Sequence, residues 1–181
     1  MGVPLLLVDA FTDRPFSGNP AAICLLPQWR DDRWLQSLAA EMKQSETAYL
    51  VRNADGFDLR WFTPAVEVDL CGHATLASAH ALWEQGFAAA GSPIRFATRS
   101  GTLTAVPQNG RIDLDFPLNA EERVYPPPEL LPALGVRAQY VGKSRFDYLV
   151  EVESEAVLRQ MAPDFRRLAS TPVRGTIVTS R

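Results

Sequence analysis

Apolar residues run from position 3 to Val8 and close on Asp9, and a second unbroken run extends from Ala21 to Leu26. Both fit buried strands, which read as continuous apolar stretches when both faces are covered. Between them, the stretch from Phe11 to Asn19-Pro20 is dense in turn formers and predicts a loop between two core strands. Asp31-Asp32 offers an N-cap, after which Trp34, Leu35, Leu38, Ala39 and Met42 recur at helical spacing. That helix should lay one face on the sheet.

Glu46 to Val51 returns to strand character, and Asn53-Ala54-Asp55-Gly56 signals a tight turn before the alternating run Phe57 to Phe62. A hairpin follows from this pattern. Val66, Val68 and Leu70 then alternate with Glu67 and Asp69, which read as the solvated side of a strand. Cys71-Gly72-His73-Ala74-Thr75 opens a second helix carrying Leu76, Ala79, His80, Trp83 and Phe87 on one side, with His80 expected to pack. Ile94 to Thr98, Leu103 to Val106 and, after Asn109-Gly110, Arg111 to Phe116 are further strands.

The first unit therefore spans 1–117, and 118–181 begins with the stiff connector Glu121 to Pro128. Beyond it a strand from Phe146 to Val152, a helix from Ser154 to about Ala169 and a strand from Thr176 to Thr179 restate the order strand, helix, strand of 21–51. A structural duplication is expected, with the second copy unfinished.

Composition narrows the function. A hydrophobic content of 46% is ample for a buried core, and a net charge of -3 with scattered arginines gives no field for nucleic acid. No run approaches the roughly 20 apolar residues of a membrane helix, so no membrane partner is expected. The two cysteines, Cys24 and Cys71, are too few for a disulfide framework and sit in no Cys/His spacing that would hold zinc. A reducing, cytoplasmic setting and no metal are the expectations. No glycine trio of the dinucleotide or phosphate-loop kind follows a strand, so no nucleotide cofactor is expected either.

Gly72 to Thr75 falls at a strand-to-helix junction, where backbone N–H groups and the helix dipole can hold a carboxylate; a glycine turn capped by Thr75 is the structural alternative. His73 could act as acid or base, hydrogen-bond an anion, or serve the fold. Glu46 stands where helix gives way to strand. A carboxylate at such a mouth can reach into a cleft as a general base, or it can be a solvated surface group. Cys71 beside the glycine is either a thiolate activated by the helix terminus or a buried inert thiol. Asn19, fixed by Gly18 and Pro20, either faces a ligand or simply serves the turn. Trp61 and Phe62 could line a pocket or fill the core.

Five blocks in order resemble the PhzF-like phenazine-biosynthesis family: Val8-Asp9-Ala10-Phe11-Thr12, Phe16-Ser17-Gly18-Asn19-Pro20-Ala21-Ala22, Gln44-Ser45-Glu46-Thr47-Ala48, Arg60-Trp61-Phe62-Thr63-Pro64 and Asp69 to Thr75. The resemblance implies an α+β fold of the diaminopimelate epimerase-like kind, a curled, mostly antiparallel sheet around a central helix. By it the helix after His73 is the central helix of a first lobe, and 118–181 holds a connector and an incomplete second lobe. It also implies a cofactor-independent isomerase of a small carboxylated metabolite. Glu46 matches the family's proton-moving glutamate, and Gly72 and His73 match its substrate-contacting pair. Ser45, Asn19, Ala74 and Thr75 fall in the same matched blocks and are carried as substrate-binding. The family's other lobe supplies an aspartate and a Gly-Ser-Ala anion loop, neither of which occurs here, and a homodimer would help cover the unfinished lobe. Two further readings stand beside the isomerase: a racemase or epimerase using Cys71 as base, and a shortened, non-catalytic family member that binds a ligand or pairs with another chain.

Overall fold

The computed structural model describes residues 2–14 and 16–181, so Met1 and Pro15, the latter within the loop expected after the first strand, lie outside it. The chain divides into two compact units, Met1–Pro117 and Leu118–Arg181.

The first unit is a curled sheet wrapped on a helix. Its strands are β1 (Leu5–Ala10), β2 (Asn19–Leu26), β3 (Glu46–Arg52), β4 (Phe57–Phe62), β5 (Glu67–Val68), β6 (Ile94–Thr98), β7 (Gly101–Gln108) and β8 (Arg111–Asp115), joined in the order β1-β2-β3-β4-β6-β7-β8 with β5 on β4. Pairing is antiparallel except for β2 with β3 and β4 with β6. The parallel step from β2 to β3 needs a crossover. Helix α1 (Asp32–Met42) supplies it.

Asp31 starts α1 by accepting the Trp34 N–H at 2.8 Å, and Lys43 stops it in the left-handed conformation at φ 53°. The helix sits on the outer face, where Leu35 and Ala39 pack with Cys24, Leu26, Tyr49 and Phe62. The inner face meets helix α2 (Gly72–Glu84). Ala21 and Ile23 of β2, Ala48 and Leu50 of β3, and Leu59 and Trp61 of β4 close on Ala74, Ala77, Ala79, Ala81 and Leu82. Coverage on both sides explains the unbroken apolar run of β2, whereas β1, expected to be buried as well, is the edge strand of the sheet and leaves Leu5 and Leu7 42% and 60% exposed. The alanines explain the curl: with small side chains on several faces of α2, the sheet can bend close around it.

The predicted hairpin forms in the register Thr47↔Phe62 to Arg52↔Phe57. Gly18 enters β2 at φ +78°, and a Cβ there would lie 2.3 Å from the Ala10 carbonyl oxygen, so only glycine fits.

Two side chains depart from the sequence pattern, and two with open alternatives are settled. His80, expected to pack, is exposed and borders an open concavity beside Asp9 and Arg111. Glu67, expected to be solvated, is bound by Arg60 through two 2.7 Å contacts and by Arg99 at 2.7 Å, with only 11% of its side chain exposed. Trp61 and Phe62 are both core, at 1% and 3% exposure.

The second unit is a four-stranded sheet in the order β12-β11-β10-β9. Its strands are β9 (Glu122–Arg123), β10 (Tyr140–Lys143), β11 (Asp147–Val152) and β12 (Gly175–Ser180), and its helices α3 (Leu130–Leu134), α4 (Glu155–Arg159) and α5 (Phe165–Leu168). Its core gathers Leu130, Leu134, Val141, Tyr148, Val150 and Val152. The single helix expected from Ser154 to Ala169 is instead two short ones, each with its own cap: Ser154 accepts the Val157 N–H and Asp164 the Arg167 N–H. Pro163 explains the break, because its ring removes an N–H and disfavours helical geometry at the residue before it.

Candidate active site

Glu46 is the first residue of β3. Side chains alternate across a strand, so it shares the inner face with Ala48 and Leu50 and its carboxylate turns toward α2. His73 is the second residue of α2 and arrives from the other direction. The two meet with Glu46 Oε2 3.4 Å from His73 Nε2, their side chains 20% and 10% exposed.

Two more of the sequence candidates join them. Ser45 Oγ lies 3.2 Å from the same Nε2, and Cys71 Sγ lies 3.4 Å from Nδ1 on the other side of the ring. The backbone of Pro20 also acts on the imidazole, favouring its protonated form. Burial is the main influence on this ring and lowers the His73 pKa from its ordinary 6.5, while the Glu46 charge and the Pro20 backbone push in the opposite direction. Burial wins, and at neutral pH the ring is mainly neutral.

Gly72, at the first position of α2, is exposed, and a Cβ added there would meet nothing within 4 Å. Cys71, the N-cap residue, makes no side-chain capping bond, and no acidic residue stands in the first turn. The N-terminus of this 13-residue helix therefore keeps the electrostatic character that favours an anion.

The remaining candidates are placed differently. Ala74 and Thr75 are fully buried, and the Thr75 hydroxyl donates to the Cys71 carbonyl at 2.6 Å. Asn19 is exposed at the start of β2, opposite Ala10.

The fold also gathers what linear spacing keeps apart. Ser45 and His73 are 28 positions distant in the chain. Cys71 belongs to no zinc-like spacing in the sequence, yet the donor atoms of Glu46, Cys71 and His73 lie within 4.8 Å of one another. The Pro20 backbone was not legible as a contributor, because a backbone group leaves no residue-type signal.

A sheet curled on a central helix is the epimerase-like α+β fold, and here a carboxylate and an imidazole stand paired at the N-terminus of that helix. The sequence model of the phenazine biosynthesis-like proteins matches residues 8–181. The chain belongs to that family. Among its relatives, a protein of Halalkalibacterium halodurans named as an uncharacterized isomerase is 54% identical, over 100% of this chain and 69% of its own length. A PhzF-family crystal structure from Enterococcus faecalis superposes with a TM-score of 0.85 at 37% identity, over 98% of this chain and 68% of that one. A predicted epimerase from Pseudomonas aeruginosa shares the fold at a TM-score of 0.73 and 16% identity, over 98% of this chain and 70% of the other. Among the described residues no helix is long and apolar enough to cross a membrane.

Proposed function

We propose that the chain moves a proton on a small carboxylated metabolite without a cofactor, and that Glu46 is the group that carries it. The contact between Glu46 Oε2 and His73 Nε2 at 3.4 Å, beside the open backbone of Gly72, is the observation that supports this most strongly.

In this reading the substrate carboxylate lies against the first turn of α2, where Gly72 leaves room for it. Glu46 takes a proton from the adjacent carbon, and the electron pair left behind delocalises into the neighbouring unsaturation. The same carboxyl group then returns the proton to another carbon, so the double bond moves and no atom is gained or lost. His73 donates to or accepts from the Glu46 carboxyl and keeps it at the N-terminus of α2. Ser45 holds the ring from the same side. A positioned carboxylate of this kind contributes about 10²- to 10⁴-fold.

The test is exchange of carbon-bound hydrogen into D2O from candidate unsaturated carboxylates, followed by NMR for this chain and for Glu46→Gln. Loss of exchange in the variant supports the assignment. Equal exchange in both removes Glu46 from the mechanism.

A further inference from the structure

Glu46, Cys71 and His73 each offer one donor atom, and the three atoms lie within 4.8 Å of one another. The set is a carboxylate oxygen, a thiol sulfur and an imidazole nitrogen. These are the ligand types zinc takes, at bond lengths of roughly 2.0–2.3 Å that set neighbouring ligands of a tetrahedron about 3.3–3.8 Å apart. Two pairs already stand at that spacing. Glu46 Oε2 is 3.4 Å from Nε2, and Cys71 Sγ is 3.4 Å from Nδ1.

We propose that these three side chains form a binding site for a soft divalent cation, zinc(II) above all. The two close pairs use opposite nitrogens of one ring, so an ion takes one nitrogen together with its near neighbour. The third donor then closes by side-chain rotation from at most 4.8 Å to the roughly 3.3–3.8 Å of neighbouring zinc ligands. Glu46, with 20% of its side chain exposed, has the room to make that rotation. The space in front of Gly72 leaves a fourth position for water or another ligand, as in zinc sites with three protein ligands. An ion here ties up the carboxylate that the proposed shuttle needs, so metal and proton transfer exclude one another. The site uses the residues of that reading but does not depend on it.

The experiment is a cobalt(II) titration of the reduced, chelator-treated chain, followed by displacement with zinc(II). Saturable binding of one ion per chain with a thiolate-to-cobalt charge-transfer band is expected. Cys71→Ser abolishes the band, His73→Ala weakens binding at least about 10-fold, and Cys24→Ser retains both. Absence of one-to-one binding, or a band that survives in Cys71→Ser, overturns the proposal. Should Cys71→Ser fail to fold, the His73 ring nitrogen shifts of the wild-type protein decide the matter by NMR. A large change on adding zinc is expected, and unchanged shifts overturn the site. No substrate enters these measurements, so their failure would leave the proton-transfer reading standing.

Discussion

Glu46 and His73 face each other at 3.4 Å from opposite origins, one at the first position of a strand and the other at the second position of the helix that the strand helps enclose. Each is fixed by the element behind it. β3 is held between β2 and β4, and α2 is buried by the curl of the sheet. The contact is therefore a product of the whole first unit, and substitutions at different depths should affect it differently.

Gly72→Ala separates binding from folding. No atom obstructs the added Cβ, and alanine favours a helix over glycine by up to about 1 kcal/mol. Thermal unfolding should show an unchanged or raised midpoint, while calorimetric affinity for small carboxylates falls because the methyl group occupies the ligand's approach. A variant that lost stability and affinity together would argue that Gly72 serves the fold.

Gly18→Ala should act on the fold instead. At φ +78°, with the Ala10 carbonyl oxygen 2.3 Å from the new Cβ, the entry to β2 is strained, at a cost of about 1–3 kcal/mol. Urea denaturation is the measurement, and a midpoint within error of wild type would contradict the close approach.

The Arg60 clamp ranks its partners by burial. Glu67, bound twice by Arg60 and 11% exposed, should matter more than Asp32, which meets the same guanidinium at 2.8 Å but is 73% exposed. Glu67→Gln should cost about 1–3 kcal/mol because it disturbs the two buried contacts with Arg60, whereas Asp32→Asn should cost under about 1 kcal/mol. Equal losses in chemical denaturation would refute the ranking.

Alkaline pH should weaken the protein through its buried thiol. Burial pushes the Cys24 pKa from an ordinary 9.0 up to about 11, and Tyr49 beside it is raised as well, first by burial and then by the Cys24 charge. Between about pH 9 and 11 the unfolded chain therefore holds fewer protons than the native one, and stability falls as pH rises. Cys24→Ala should flatten that slope. In native protein near pH 8 a thiol reagent should leave Cys24 unlabelled until unfolding.

Much of this architecture could be read from local chemistry. The Asp31 cap, the turn at 53–56 and the unbroken run of β2 each have a residue-type signature and a short range. His80 and Glu67 depart from the local pattern because their surroundings are set from afar: α2 leaves His80 facing a gap, and Glu67 gains its burial from Arg60 on β4 and Arg99 in the turn after β6. The helix expected over 154–169 is two short ones because Pro163 interrupts it. Spacing left Glu46, Cys71 and His73 as separate, ambiguous residues. The resemblance singled out Glu46 and His73; the Cys71 sulfur reaches the same imidazole locally, from two positions before it at the start of α2, and the curl of the sheet brings Glu46 to that ring.

The central claim is that Glu46 moves the proton and does not merely shape the pocket. Glu46→Gln keeps the size and hydrogen-bonding reach of the side chain but cannot act as a base. Hydrogen exchange and ligand affinity should therefore be measured side by side on a carboxylate that the wild-type chain both binds and exchanges. The account predicts exchange reduced by about 10²- to 10⁴-fold with affinity changed only a few-fold. Exchange at the wild-type rate in Glu46→Gln would contradict it.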